Sequence, residues 1–133
     1  MARQARTEPS LTEWAVLGLL KEGSAHGWDI ARAFAPEGAI GNVWTVSRPL
    51  VYRAITVLRD LGYIEDRGSA PSSSGPERVV LGTTGRGRSA FRRWLERPVE
   101  HVRDLRSELL LKLLFVERAG LDRVPLLRAQ LEE

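Results

Sequence analysis

The sequence predicts a mainly α-helical domain with one small β-hairpin, on three observations. The first is the stretch SRPLVYRAITVLRDLGYIE, Ser47 to Glu65. Here Ser47 can serve as N-cap, Pro49 falls in the first turn where a missing N–H costs nothing, and Gly62 supplies a stop after Leu61. At about 100° per residue this helix has two faces. Leu50, Ala54, Val57, Leu58 and Leu61 share one side, with Val51 and Ile55 beside them, while Arg48, Tyr52, Arg53, Thr56, Arg59 and Asp60 fill the opposite arc. The second observation is that capped, helix-periodic stretches stand on both sides of it. The third is a Ser/Pro/Gly tract, SAPSSSGP, between two β-prone runs, YIEDRG and ERVVLGT.

In chain order, residues 1–9 are polar and without periodicity, which predicts a flexible N-terminus. Ser10 and Glu13 stand at capping-box spacing before LTEWAVLGLLKEG, where Trp14, Val16, Leu17 and Leu20 can share a buried flank and Gly23 a stop. Ser24 can cap a shorter second helix through HGWDIARAF, burying Trp28, Ile30, Ala31 and Phe34 and ending before Pro36. PEGAIGNVWTV is glycine-rich and then β-prone, which predicts a loop and a very short strand over Val43–Val46, with Trp44 as the loop's anchor.

Beyond the Ser47 helix, Tyr63, Glu65 and Arg67 alternate with Ile64 and Asp66 in an outgoing strand, and ERVVLGT returns. Two strands joined by a flexible tract, directly after a helix with an arginine-bearing face, have the sequence form of a wing. Thr84 can cap a fourth helix, GRGRSAFRRWLER, with Ala90, Phe91, Trp94 and Leu95 as its apolar face and Pro98 as its end. DLRSELLLKLLFVERAG is apolar nearly all the way round from Leu109 to Val116, interrupted only by Lys112. A helix of that kind is buried on several sides, and in a chain this small a partner chain is the expected cover. Gly120 stops it, Asp122 can cap a last helix with Pro125 in its first turn, and Val124, Leu127 and Leu131 keep helical spacing.

At 133 residues and 43% hydrophobic, the chain is long and apolar enough for one domain with a core. The absence of cysteine excludes disulfides, thiolate metal sites and cysteine nucleophiles. No apolar run approaches the roughly 18 residues of a membrane span, and MARQARTEPS lacks the apolar stretch of a signal peptide, so the expected location is cytoplasmic. An enzyme is not expected. The two histidines, His26 and His101, lie far apart, no nucleophile elbow or phosphate-binding glycine motif occurs, and the acids show no metal-ligand spacing, so neither cofactor nor metal is predicted. Net charge is only +3, but from Arg86 to Arg97 five arginines face the single acid Glu96, a pattern that an ordinary solvated helix face also produces.

The order helix, helix, short strand, helix, strand, wing, strand, helix is that of a winged helix-turn-helix domain. Within that class the chain resembles the PadR family of bacterial transcriptional regulators. The resemblance is carried by LGLLKEGSAHGWDI, by SRPLVYRAITVLRDLGYIE, by TGRG at Thr84–Gly87, by RWL at Arg93–Leu95 and by PVEHVRDLRSELLLKLLF, and covers nearly all of Leu11 to Leu127. It departs where Thr83 replaces a usually apolar residue, and the C-terminal segment is short for a complete dimerisation arm.

The resemblance implies a winged-helix DNA-binding domain over 10–97 and C-terminal dimerisation helices over 98–133. It also implies a homodimer that presents its third helix to the major groove, and repression relieved by a small ligand. Carried over by position, Ser47, Arg48, Tyr52, Arg53 and Thr56 belong to the groove-facing helix, and Arg67 and Arg78 flank the wing. Leu109, Leu110, Leu113, Leu114, Val116 and Leu127 are the expected dimer contacts.

A separate physical case for DNA rests on the arginines and hydroxyls sharing one helix face behind a positive dipole end. Ser47 and Tyr52 suit phosphate, Arg48 and Arg53 phosphate or base edges, and Thr56 a thymine methyl. Four tryptophans exceed the apparent needs of so short a core. Trp14 and Trp28 are expected inside, and Trp94, beside the dimer region, is the candidate lining of a pocket for a small aromatic or hydrophobic effector. The expected function is thus a sequence-specific repressor on a palindromic operator. The alternative is a winged-helix protein-interaction module without DNA binding.

Overall fold

At three helix starts the cap expected from sequence makes its bond, and these caps set the frame. In the computed structural model the described backbone covers residues 8–72, 75–100 and 105–132, with side chains other than those of 69–72 and 75–78. Helix α1 (Leu11–Glu22) opens with a complete capping box: the Ser10 hydroxyl accepts from the Glu13 amide at 3.3 Å, and the Glu13 carboxylate accepts from the Ser10 amide at 2.9 Å. Trp14, Val16, Leu17 and Leu20 are buried, as their spacing predicts. Just before α1, Pro9 is buried and the Glu8 carboxylate accepts from the Trp14 indole at 3.1 Å and from Arg97 at 2.6 Å. These last two residues of the N-terminus expected to be flexible are therefore seated on the fold, while 1–7 lie outside the described residues.

The second helix begins later than its apparent cap. Ala25–His26 forms a strand, β1, and α2 covers Gly27–Ala33 with His26 at its N-cap position. β1 pairs Ala25 with Leu81 and His26 with Val80, so it makes the outer strand of a three-stranded antiparallel sheet in the order β1-β3-β2. The strand expected over Val43–Val46 is absent. There the amides of Val43 and Trp44 both donate to the Ile40 carbonyl, at 2.9 and 2.8 Å, which closes turns instead. Trp44 does anchor this loop, edge-to-face on buried Phe34 with ring centroids 6.5 Å apart. Trp28, expected in the core, is 38% exposed.

Helix α3 (Arg48–Asp60) lies against both α1 and α2, and this double packing rotates its buried stripe from the one expected. Val51, Ala54, Ile55 and Leu58 are buried, Val57 and Leu61 are half-buried, and Leu50 is 46% exposed. Gly62 ends the helix with φ +77°, a left-handed backbone that only glycine adopts without cost.

Strands β2 (Ile64–Ser72) and β3 (Gly75–Thr83) form the wing, and they extend further into the Ser/Pro/Gly tract than its composition suggests, to the pair Ser72 with Gly75. Thr83, the polar residue at a usually apolar position, is buried but satisfied: its hydroxyl accepts from Arg88 at 3.1 Å.

Helix α4 (Gly85–Glu96) starts on Thr84, whose hydroxyl accepts from the Gly87 amide at 3.0 Å and donates to the Gly62 carbonyl at 2.7 Å. Its Ala90, Phe91, Trp94 and Leu95 are buried. Trp94 stacks on Trp14 at 5.2 Å, and Phe91 meets Phe115 edge-on at 5.4 Å. Phe115 belongs to α5 (Leu105–Arg118), which packs on α1 and α4 and is tied to α1 by a two-pronged Arg118–Glu22 pair at 2.9 and 2.5 Å.

Lys112 of α5 is fully buried with its ammonium 5.0 Å from the Trp94 ring, 3.2 Å from the Glu108 carboxylate and donating to the Arg97 carbonyl. Helix α6 (Val124–Glu132) is capped by Asp122, which accepts from the Val124 amide at 3.0 Å. It inserts Leu126 into the core, while Val124 and Leu131 are exposed. The Gln130 amide brackets Val99, accepting from its N–H at 2.6 Å and donating to its carbonyl at 3.1 Å. Among the described residues no helix is long and apolar enough to cross a membrane.

Candidate nucleic-acid interface

Once α3 buries Val51, Ala54, Ile55 and Leu58, its remaining arc faces outwards, and Ser47, Arg48, Tyr52, Arg53 and Thr56 are all exposed. Ser47 holds the N-cap position in extended backbone without a side-chain capping bond, and the first turn contains no acid. The positive end of the helix dipole and its unpaired amides are therefore not neutralised by a carboxylate of the same turn. Arg59 is different in kind. It donates to Asp66 at 3.2 and 2.9 Å, an exposed pair that ties α3 to β2.

Tyr52 is positioned by a close approach. Its ring lies so near Gly27 that a Cβ there would sit 2.6 Å from the ring. Tyr52 and Thr56 share a cleft of about 440 Å³ with His26, Trp28, Arg59 and Val79, which joins α2, α3 and the wing into one surface. Beside it, the Arg32 guanidinium lies 4.8 Å over the Trp28 ring. Within the cleft His26 Nε2 is 3.0 Å from the Asp29 carboxylate, and the buried Nδ1 has no hydrogen-bond partner among the described residues.

Of the two arginines expected to flank the wing, Arg67 is the one whose side chain is described. Arg67 folds back across the sheet over Gly82, donates to the Thr83 carbonyl and pairs with Glu65 at 3.3 Å. Arg78 pairs with Ala70 in the ladder, and its side chain lies outside the described residues.

The family model described as the transcriptional regulator PadR-like family matches residues 16–93, more than half of the chain and all of α2, α3 and the wing. The chain belongs to the PadR-like family of transcriptional regulators. A curated relative, the negative transcriptional regulator PadR of Bacillus subtilis, is 28% identical over 104 residues, covering 78% of this chain and 56% of its own length. The crystal structure of B. subtilis PadR in complex with operator DNA aligns with TM-score 0.63 and 26% identity over 87% of this chain and 63% of that one. The same regulator in complex with p-coumaric acid aligns with TM-score 0.59 and 25% identity, over 87% and 61%. This chain thus spans somewhat over half the length of these relatives.

In this PadR-like chain the matched span contains every sequence-predicted residue of the α3 face and stops one residue before Trp94. Trp94 is 2% exposed and belongs to the core, yet its edge lines a cavity of about 350 Å³ with Glu8, Trp14, Arg97, Glu108 and Lys112. The expected dimer residues divide. Val116 is buried in this chain's own core, Leu109, Leu113, Leu114 and Leu127 are half-buried, and Leu110 is 49% exposed. Sequence reasoning missed Trp28 with Arg32, because an aromatic at helical spacing reads as core. It also missed Leu50, whose exposure follows only from the rotation of α3.

Proposed function

We propose that this chain is a sequence-specific transcriptional repressor that reads duplex operator DNA with α3, acts as a homodimer on a palindromic site, and is released by a small aromatic or hydrophobic effector. The observation that carries the reading is the α3 face: two arginines, a tyrosine and two hydroxyls exposed together at an uncapped positive helix end, beside a two-stranded wing. Ser47 and Tyr52 contact phosphate, Arg48 and Arg53 reach phosphate or base edges, and Thr56 meets a thymine methyl. Arg67 and Arg78 flank the second contact, through the wing. Family membership and the operator complex of the B. subtilis relative support DNA as the partner.

The dimer reading rests on the apolar residues that α5 and α6 leave uncovered, Leu110, Leu113, Leu114 and Leu127 among them. The effector reading rests on the Trp94 cavity, lined by two indoles together with the Arg97–Glu8 and Lys112–Glu108 ion pairs, and on the aromatic acid bound by the B. subtilis relative. Tryptophan fluorescence against a panel of aromatic acids and cationic drugs tests it, and no response across the panel would count against sensing.

Selection of bound sequences from random duplex DNA tests the central reading. A palindromic consensus is expected, with half-site spacing set by the dimer. No enrichment and no salt-dependent binding would instead favour a protein-interaction module. On the selected site Arg53→Ala should lower affinity on the order of tenfold, the loss of one charged hydrogen bond, at unchanged melting temperature. Unchanged affinity in a gel-shift titration would remove Arg53 from the interface.

A further inference from the structure

We propose that Arg32, held over the Trp28 ring on α2, is a second contact to the DNA backbone, placed outside the α3 face and independent of base sequence; this rests on the DNA-binding reading above. Trp28 is 38% exposed although it is the largest apolar side chain on a short helix whose Ile30 and Ala31 are buried. Exposure of a large indole costs hydrophobic stabilisation unless the ring has another use. Here the ring carries a guanidinium at 4.8 Å. Arg32 itself is exposed, so its charge remains available to solvent and to an anion.

The direction of this pair follows from the cleft it borders. Trp28, Tyr52 and Thr56 line the same opening of about 440 Å³ between α2, α3 and β3. With α3 in a major groove, the strand bordering the groove passes along that edge, and a phosphate there meets Tyr52 and Thr56 of α3 on one wall and Trp28 on the other, with Arg32 stacked on the Trp28 ring beside the opening. Stacking suits a guanidinium to phosphate binding, because the flat ion lies on the indole face while its N–H edge stays free for phosphate oxygens. Trp28 is then a positioning residue, acting through Arg32, and Asp29 does not quench the pair because it faces His26 at 3.0 Å.

The experiment measures full-length protein on two probes, a mixed-sequence duplex and the site enriched by selection, across a salt series. Arg32→Ala is expected to weaken both by a similar factor, on the order of tenfold, and to make the dependence of log affinity on log salt shallower by about one. Arg32→Lys should keep the salt slope while losing part of the affinity, since an ammonium keeps the charge but not the stacked geometry. Trp28→Ala should weaken binding, and in the double variant with Arg32→Ala the two losses should not add, the signature of one residue acting through the other.

Unchanged affinity and slope in Arg32→Ala, with Arg53→Ala still weakened, would overturn this proposal alone. A change of base preference in Arg32→Ala would overturn the backbone assignment. No DNA binding by the parent protein would sink both this inference and the function on which it rests.

Discussion

Gly27 shows how one missing side chain arranges the surface around α3. Any Cβ at this position meets the Tyr52 ring at 2.6 Å, so Gly27→Ala must swing the ring out towards solvent, a motion open to an exposed side chain. DNA affinity should fall while the melting temperature moves little, and a gel shift paired with thermal denaturation checks both. A large loss of stability with unchanged affinity would place the glycine's role in packing alone.

Lys112 makes the second case at this scale. Burial lowers its pKa from the ordinary 10.5, and the attraction and hydrogen bond of Glu108 offset this only in part. Because the folded value lies below the unfolded one, the unfolded chain binds more protons between them, and stability must rise with pH across that window. Lys112→Met should remove this rise. Urea midpoints followed as pH is raised towards 10.5 are expected to climb more in the parent protein than in the variant, and parallel curves would refute the assignment.

Among the elements, α4 depends most on a single side chain. Thr84 uses one hydroxyl twice, accepting from the Gly87 amide and donating to the Gly62 carbonyl, and so fastens the start of α4 to the end of α3. Thr84→Val keeps the shape and loses both bonds, which should cost about 2 kcal/mol, the sum of a cap and a buried hydrogen bond. Thr84→Ser should retain most of it. Chemical denaturation distinguishes the two, and equal losses would mean that the methyl matters more than the hydroxyl. The same junction sets the angle between α3 and the wing, so the effect extends to the interface. Arg59 with Asp66 reinforces it from the other side, at 2.9 Å.

For the whole molecule, the arrangement of α5 decides which apolar residues remain for a partner. Leu111, Phe115 and Val116 are consumed by α1, α4 and the local core, and Lys112 by Trp94, Glu108 and the Arg97 carbonyl, which leaves Leu110 at 49% exposure. On the proposed dimer, Leu110→Glu should convert dimer to monomer in sedimentation and weaken binding to a palindromic site more than to a half-site, with helix content preserved. A variant that stays dimeric would move the seam elsewhere on α5 and α6.

Local chemistry made much of this molecule legible. The Ser10–Glu13 box, the Thr84 and Asp122 caps and the stops at Gly62 and Gly120 depend on groups within a few residues of one another, so they can be read along the chain. The polar arc of α3 was legible for the same reason. Strand β1 was not, because a two-residue strand exists only through its pairing with Leu81 and Val80, more than fifty positions away. The turns over Val43–Val46 depended on a competing carbonyl, that of Ile40. The rotation of α3 that exposed Leu50, the exposure of Trp28 beneath Arg32 and the burial of Lys112 against Trp94 were equally out of reach. Helical periodicity tells that a face is apolar, but which of its residues is covered depends on the angle and position of the helix packed against it, and that is a property of the assembled fold.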